Sequence, residues 1–88
     1  MKVYICFMGH NCVDMVFDSP KKANEYRDKV NAFYREKELA FDALRKEWND
    51  MQDFNIEKIR ELNVRGKSLE ILYLDARYID NIEVWDVK

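Results

Sequence analysis

Four side chains near the start of the chain belong to types that can do chemistry: Cys6, His10, Cys12 and Asp14. A histidine acts as a general base only where a pocket and an orienting carboxylate hold it. His10 falls in a polar link between two apolar runs, so we interpret it as a turn residue. Five residues separate the two cysteines and there is no second pair, which is not a zinc spacing. We therefore expect reduced thiols and no metal site.

Asp14 argues against a catalytic cysteine. In the strand pairing predicted below, Asp14 faces Cys6, and a carboxylate beside a thiol raises the pKa of that thiol. A thiol with a raised pKa is a weaker nucleophile at neutral pH because less of it is thiolate. We therefore predict that the chain is not an enzyme and that it holds no cofactor.

Two further patterns match known ligand sites only in part. The run Gly66-Lys67-Ser68 resembles the end of a phosphate-binding loop, but the first glycine of that motif would have to replace Glu61. The acidic side chains of the C-terminal segment fit no calcium-loop spacing, and we expect them on a solvated edge. They are Asp75, Asp80, Glu83 and Asp86.

Composition and charge narrow the class of protein. The 88 residues are 48% hydrophobic and 36% charged, with two glycines and one proline, which predicts a single ordered domain over residues 1–88. No run approaches the roughly 20 apolar residues of a membrane span, and the first residues turn polar too soon for a signal peptide. The net charge is −2 with cations and carboxylates interleaved, unlike a nucleic-acid-binding face. We expect a cytoplasmic protein without membrane or nucleic-acid partners.

The elements that position these side chains begin with a hairpin formed by the alternating runs 3–8 and 12–18. A register in which paired residue numbers sum to 20 gathers six apolar side chains on one face. The predicted pairs are Val3 with Phe17, Ile5 with Met15 and Phe7 with Val13.

The other face of this hairpin is also apolar, apart from Asp14, whereas solvated sheet faces are usually more polar. Two interpretations stay open: the C-terminal segment covers this face, or it is a partner surface or homodimer interface. We name Tyr4, Met8 and Val16 as candidate binding residues on it.

A long helix follows, with Ser19 as its N-cap and Pro20 at its first position. Apolar residues keep one helical register, which predicts a single helix over about 20–50, with a break within 35–38 as the alternative. Lys37 falls in the apolar stripe, so we expect its stem at the rim of the core. The stripe consists of Ala23, Tyr26, Val30, Phe33, Tyr34, Ala40, Phe41, Leu44, Trp48 and Met51.

Such a helix is about 46 Å long, whereas a seven-residue strand spans about 23 Å, so half of it overhangs the sheet. Either a second helix over about 54–64, capped by Asp53 or Asn55 and ended by Gly66, covers this half, or a second chain does. Because a second chain could cover this half of the helix, we expect a homodimer. The candidate binding residues in this half are Lys37, Phe41 and Trp48.

The C-terminal part completes the sheet. Residues 81–87 alternate as a strand, and residues 69–74 are ambiguous between strand and helix and are interpreted as a strand. The predicted fold class is α+β: an N-terminal hairpin, a long helix, a short second helix, and one or two C-terminal strands in a three- to four-stranded, mostly antiparallel sheet.

The run 16–26, in which a strand leads into a capped helix, resembles the corresponding junction of small uncharacterised β-β-α-β proteins of bacteriophage type. Such proteins often bind and inhibit a host or defence protein, and the resemblance carries over no site residues. It implies a phage-encoded inhibitor or adaptor in the host cytoplasm.

We predict a non-enzymatic protein-interaction module that acts as a homodimer on a protein partner. The alternative is a small-ligand or nucleotide-sequestering protein, which would need a pocket lined by aromatic side chains and by cations such as Lys37.

Overall fold

The computed structural model describes residues 1–9, 12–53 and 55–88 of the chain. Its elements in chain order are β1 (Lys2–Phe7), β2 (Val13–Phe17), α1 (Pro20–Asp50), α2 (Ile56–Leu72) and β3 (Asn81–Asp86). The three strands form one antiparallel sheet in the order β2-β1-β3, which confirms the α+β fold class. The chain divides into two compact units, residues 1–34 with 76–88 and residues 35–75.

The predicted hairpin register is wrong by one residue over most of its length. Tyr4 pairs with Phe17 and Ile5 with Val16, and only the pair of Phe7 with Val13 is as predicted. A bulge between Cys6 and Phe7 accounts for the shift, because it leaves an extra residue on β2. Alternation of apolar side chains cannot indicate such an insertion.

The corrected register decides which face of the sheet is buried. Cys6, Ala23 and Ile79 are the buried centre of the first unit, and half-buried apolar residues pack against them. The hairpin face of Cys6 is thus covered by the first half of α1, and the C-terminal segment contributes Ile79. The surrounding residues are Tyr4, Met8, Phe17, Tyr26, Val30 and Ile82.

Helix α1 is unbroken from Pro20 to Asp50, which confirms the predicted single helix. No glycine or proline interrupts these residues, and the Ala23 N–H donates to the Ser19 carbonyl at 3.2 Å at the first turn. All predicted stripe residues are buried or half-buried except Trp48, which is 37% exposed.

Helix α2 begins after Asn55, which is one of the two predicted caps, and the Asn55 side chain accepts from the Lys58 N–H at 3.2 Å. Its end is not as predicted, because it continues to Leu72, and the interpretation of residues 69–74 as a strand is wrong. Gly66 lies inside the helix, where an added Cβ would lie 3.4 Å from Leu44 Cδ2. A Cβ at that distance makes an ordinary van der Waals contact, so packing on α1 does not require a glycine, and Gly66 does not stop the helix.

None of the helices in the described part of the chain is long and apolar enough to cross a membrane.

Candidate interaction surface

One face of the sheet has no helix packed on it within the first unit, and we call it the open face. Val16 pairs with Ile5 and Trp85 pairs with Val3, so these four side chains project from the same side, opposite to Cys6. Exposure is 49% for Val16 and 55% for Trp85, which leaves much of this apolar surface in water. The apolar residues of the open face are Val3, Ile5, Phe7, Val13, Val16 and Trp85.

Few charges interrupt the open face. Glu83, which pairs with Ile5, is the acidic residue of β3 on this side, and its Oε1 accepts from Trp85 Nε1 at 3.3 Å. This bond uses the indole N–H while the ring stays exposed, so Trp85 presents a large apolar surface with its polar group already satisfied.

A polar cluster on the opposite, helix-covered face holds the sheet against α1. Arg77 Nε donates to Asp14 Oδ1 at 2.7 Å, the Tyr26 hydroxyl donates to Asp14 Oδ2, and Arg77 also donates to the Tyr26 oxygen. The Asp14 side chain is 9% exposed. Burial and the bond to Asp14 raise the pKa of Tyr26, and the bonds to Asp14 and Tyr26 raise that of Arg77. Asp14 is the extra residue of β2, and its bonds to Tyr26 and Arg77 hold it towards α1.

A buried amide fixes the segment that leads into β3. Asn31 is 7% exposed, and its side chain accepts from the Ile79 N–H at 2.7 Å and donates to the Ile79 carbonyl at 3.2 Å. The rings of Tyr34 and Tyr78 lie beside this pair with centroids 5.6 Å apart. Together with Arg77, these contacts determine where β3 starts and therefore where Trp85 is presented.

Asp80 has a structural role at the hairpin loop. Its Oδ2 accepts from the Gly9 N–H at 2.7 Å, and Gly9 has a φ of 67°, a conformation that favours glycine. This contact joins the end of β1 to the start of β3. Within residues 1–9, 12–53 and 55–88, no three His, Cys, Asp or Glu side chains gather where they could hold a metal ion.

The structure places the two thiols in different environments. Cys6 is fully buried and Cys12 is exposed. Burial, and after it the charge of Asp14, raises the pKa of Cys6. The predicted strand partner of Cys6 was Asp14, whereas in the structure Cys6 pairs with Met15. The raised pKa makes Cys6 a poor nucleophile. The interpretation of His10 as a turn residue falls outside the described residues.

The second unit is held by apolar contacts and by a charge cluster. Leu62 of α2 is fully buried and Leu44 of α1 is 7% exposed. Glu47 on α1 accepts from Arg65 and from Lys58, the latter at 3.4 Å. The hydrogen bond from Arg65 is the main cause of a lowered pKa at Glu47. The distal half of α1 is therefore covered, at least in part, by a helix of the same chain.

An open groove of about 410 Å³ lies on this unit. Arg45 and Asp42 form an ion pair at 3.0 Å in its lining, so part of the positive charge is already neutralised. The groove is lined by Lys37, Glu38, Phe41, Asp42 and Arg45.

The candidate binding residues from the sequence do not come together in one site. Tyr4 and Met8 pack against the buried centre of the first unit, and Val16 lies on the open face. Lys37 and Phe41 line the groove of the second unit, where Trp48 is also partly exposed. Sequence reasoning missed Val13 and Trp85 as surface residues, which are 54% and 55% exposed. The alternation of residues 81–87 predicts a strand but does not indicate which of its faces is exposed.

No family model, curated protein or solved structure matches this chain.

Proposed function

We propose that the chain is a non-enzymatic interaction module that binds a protein partner through the open face. The observation that carries this proposal is the exposed apolar surface formed by Val13, Val16 and Trp85 on one side of a sheet whose other side carries the buried centre of the first unit. Contiguous apolar surface of this kind typically marks an interaction site in a folded protein.

Trp85 is the residue on which we expect binding to depend most. Tryptophan is enriched among the residues that dominate interface energies, because its ring buries a large area and loses little conformational entropy. Val3 lies opposite Trp85 on β1, and Ile5 lies opposite Glu83 on the same face, so the surface around the ring is formed by regular strands. A pre-formed surface loses less entropy on binding than a loop would.

The partner that we propose is a host or defence protein in the cytoplasm, on which the chain acts as an inhibitor or adaptor. The resemblance of residues 16–26 to bacteriophage-type β-β-α-β proteins supports this choice of partner. A partner with an apolar patch of its own would complement the open face, which has little charge.

The test uses a photo-crosslinking amino acid at position 16 in the full chain, expressed in bacterial cells, with the same amino acid at Ala32 as the matched control. Ala32 is exposed on α1, away from the open face. We expect a defined protein to crosslink at position 16 and not at position 32.

The captured protein is then titrated with purified variants. Trp85→Ala and Val16→Asp should each weaken binding at least about tenfold, whereas Ala32→Asp should leave it unchanged. Circular dichroism checks that each variant is folded. Equal crosslinking at both positions, or equal affinity of Val16→Asp and the wild type, would contradict the proposal.

The second candidate is a small-ligand or nucleotide-sequestering protein, and the groove of the second unit favours it. Phe41 supplies an aromatic surface there, and Lys37 and Arg45 supply positive charge. A ligand that binds only the folded state raises the melting temperature in a concentration-dependent way. A rise with a nucleotide for the wild type but not for Phe41→Ala would support this candidate, and no shift with any nucleotide would reject it.

A further inference from the structure

Strand β3 forms an edge of the sheet with backbone groups available for pairing. Val87 N–H donates to the Met1 carbonyl at 2.7 Å, and the Met1 amine donates to the Val87 carbonyl at 3.3 Å. Because inward and outward groups alternate along an antiparallel strand, Ile82, Val84 and Asp86 direct their N–H and C=O groups away from β1.

The two edges of the sheet differ in their protection against pairing. At the β2 edge, a bulge increases the local twist and disturbs the ladder, which is a common way to prevent edge-to-edge association. β3 pairs with β1 without a shift of register over all six residues, and Val84 is 55% exposed. β3 is therefore the edge that a further strand can extend.

We propose that β3 pairs antiparallel with β3 of a second copy of this chain, about a two-fold axis at Val84. Val84 then lies opposite Val84 of the second copy, and Glu83 lies opposite Trp85. The result is a continuous six-stranded sheet in the order β2-β1-β3-β3-β1-β2.

Charge complementarity selects this register. Two symmetric registers pair five residues of the strand, and the one centred on Glu83 places two carboxylates directly opposite each other, which is destabilising. The register centred on Val84 opposes no like charges. It also brings Lys88 of each copy opposite Asp80 of the other, at both ends of the paired strands. The Asp80 carboxylate is already held in place by the Gly9 N–H at 2.7 Å.

The β3–β3 pairing deepens the proposed function, because it enlarges the open face. That role for the larger face rests on the proposed function. Three strands about 4.8 Å apart and about 20 Å long present a face of about 300 Å². A typical specific interface takes about 800 Å² from each partner. The two-fold axis lies perpendicular to the sheet, so both open faces point the same way and together present about 600 Å². The second copy thus doubles the available face and brings it closer to the area of a typical interface.

The first test measures the oligomeric state by sedimentation equilibrium of the full chain. Val84→Pro removes only an outward N–H, and proline is tolerated on an edge strand at such a position. Val84→Thr is the matched control, because it keeps the N–H and a β-branched side chain. We expect a dimer for the wild type and for Val84→Thr, and a folded monomer for Val84→Pro.

The second test checks the register by disulfide trapping in a Cys12→Ser background, which leaves only the buried Cys6. Val84→Cys should form a disulfide-linked dimer under mild oxidation, because the two positions face each other across the axis. Asp86→Cys is the control, since its two positions would lie about 13 Å apart, beyond disulfide reach.

A wild-type monomer at 100 micromolar, a dimer that persists in Val84→Pro, or equal trapping at both positions would overturn the pairing. These outcomes are separate from failure of the proposed function. Val16→Asp should lose the crosslinked partner and stay dimeric, whereas Val84→Pro should become monomeric and still bind that partner, more weakly. A monomeric wild type that still captures its partner at position 16 would reject the pairing alone.

Discussion

Asn31 illustrates at the residue scale how one polar side chain can determine the start of a strand. Its amide group satisfies both backbone groups of Ile79, which is 2% exposed. Neither group is accessible enough for water to replace the amide easily. Asn31 therefore performs for the segment before β3 what a neighbouring strand would otherwise do.

Replacing Asn31 by leucine should destabilise the protein strongly. Asn31→Leu keeps a side chain of similar size but leaves a buried N–H and a buried C=O without partners, each costing about 1–3 kcal/mol. We expect the free energy of unfolding, measured by urea denaturation, to fall by about 3 kcal/mol. Ala32→Leu at the neighbouring exposed position should change it by less than about 0.5 kcal/mol. If Asn31→Leu lowers the free energy of unfolding by less than about 1 kcal/mol, the hydrogen bonds of the Asn31 side chain contribute little to stability.

The sequence could not predict this residue. Asparagine is usually exposed, and the backbone that it binds is 48 residues further along the chain. The same holds for Asp14, whose partners are Tyr26 on α1 and Arg77 in the segment before β3. The apolar stripe of α1 could be predicted because its residues recur at helical spacing. Polar contacts between distant residues leave no periodic signal in the sequence.

At the scale of elements, the charge cluster at Glu47 couples helix pairing to pH. The hydrogen bond from Arg65, and after it the charge of Lys58, stabilise the ionised carboxylate, so the pKa of Glu47 in the folded protein lies below its ordinary value of 4.5. The stabilisation is thus fully present above pH 4.5 and is lost as the pH falls through the lowered folded-state pKa.

We expect Glu47→Gln to reduce the pH dependence of stability below pH 4.5. The measurement is urea denaturation between pH 7 and pH 2, followed by Trp48 fluorescence in a Trp85→Phe background. Wild-type stability should fall across this range more steeply than that of the variant. Asp50→Asn, at an exposed position on the same helix, serves as the control and should keep the wild-type slope. Identical slopes for Glu47→Gln and the wild type would contradict the prediction.

The predictions for elements succeeded where the signal was local and failed where it depended on packing. The length of α1 follows from a long apolar register without glycine or proline. The end of α2 does not follow from its sequence, because Gly66 normally indicates a stop and here lies inside the helix. The hairpin register depended on a bulge that makes Asp14 the extra residue of β2, and the Asp14 side chain contacts Tyr26 of α1, far from it in sequence. For the same reason, the exposed face of the sheet could not be identified from alternation alone.

At the scale of the whole molecule, one continuous helix belongs to both compact units, since the boundary between them falls after Tyr34 within α1. Each unit also contains one of the two tryptophans, Trp85 in the first and Trp48 in the second. Unfolding of the two units can therefore be observed separately in single-tryptophan variants.

A proline just beyond this boundary should uncouple the units. Glu36→Pro at an exposed position removes a helical hydrogen bond and costs about 3 kcal/mol within α1. We expect the wild type to melt in one transition at both tryptophans, and Glu36→Pro to lose the Trp48 signal at a lower temperature than the Trp85 signal. Glu36→Ala is the control and should keep a single transition. Coincident melting of both signals in Glu36→Pro would show that the units depend on each other for other reasons.

The hydrogen bonds between Met1 and Val87 join residues 86 positions apart and have a consequence for how the protein is made. The central strand β1 is synthesised before its neighbour β3, which leaves the ribosome only after both helices. During translation the hairpin and α1 can form early, but one side of β1 can pair only after β3 has been synthesised. Over that interval the nascent chain exposes the unpaired β3 side of its central strand, so its yield in cells should depend on the speed of elongation and on chaperones.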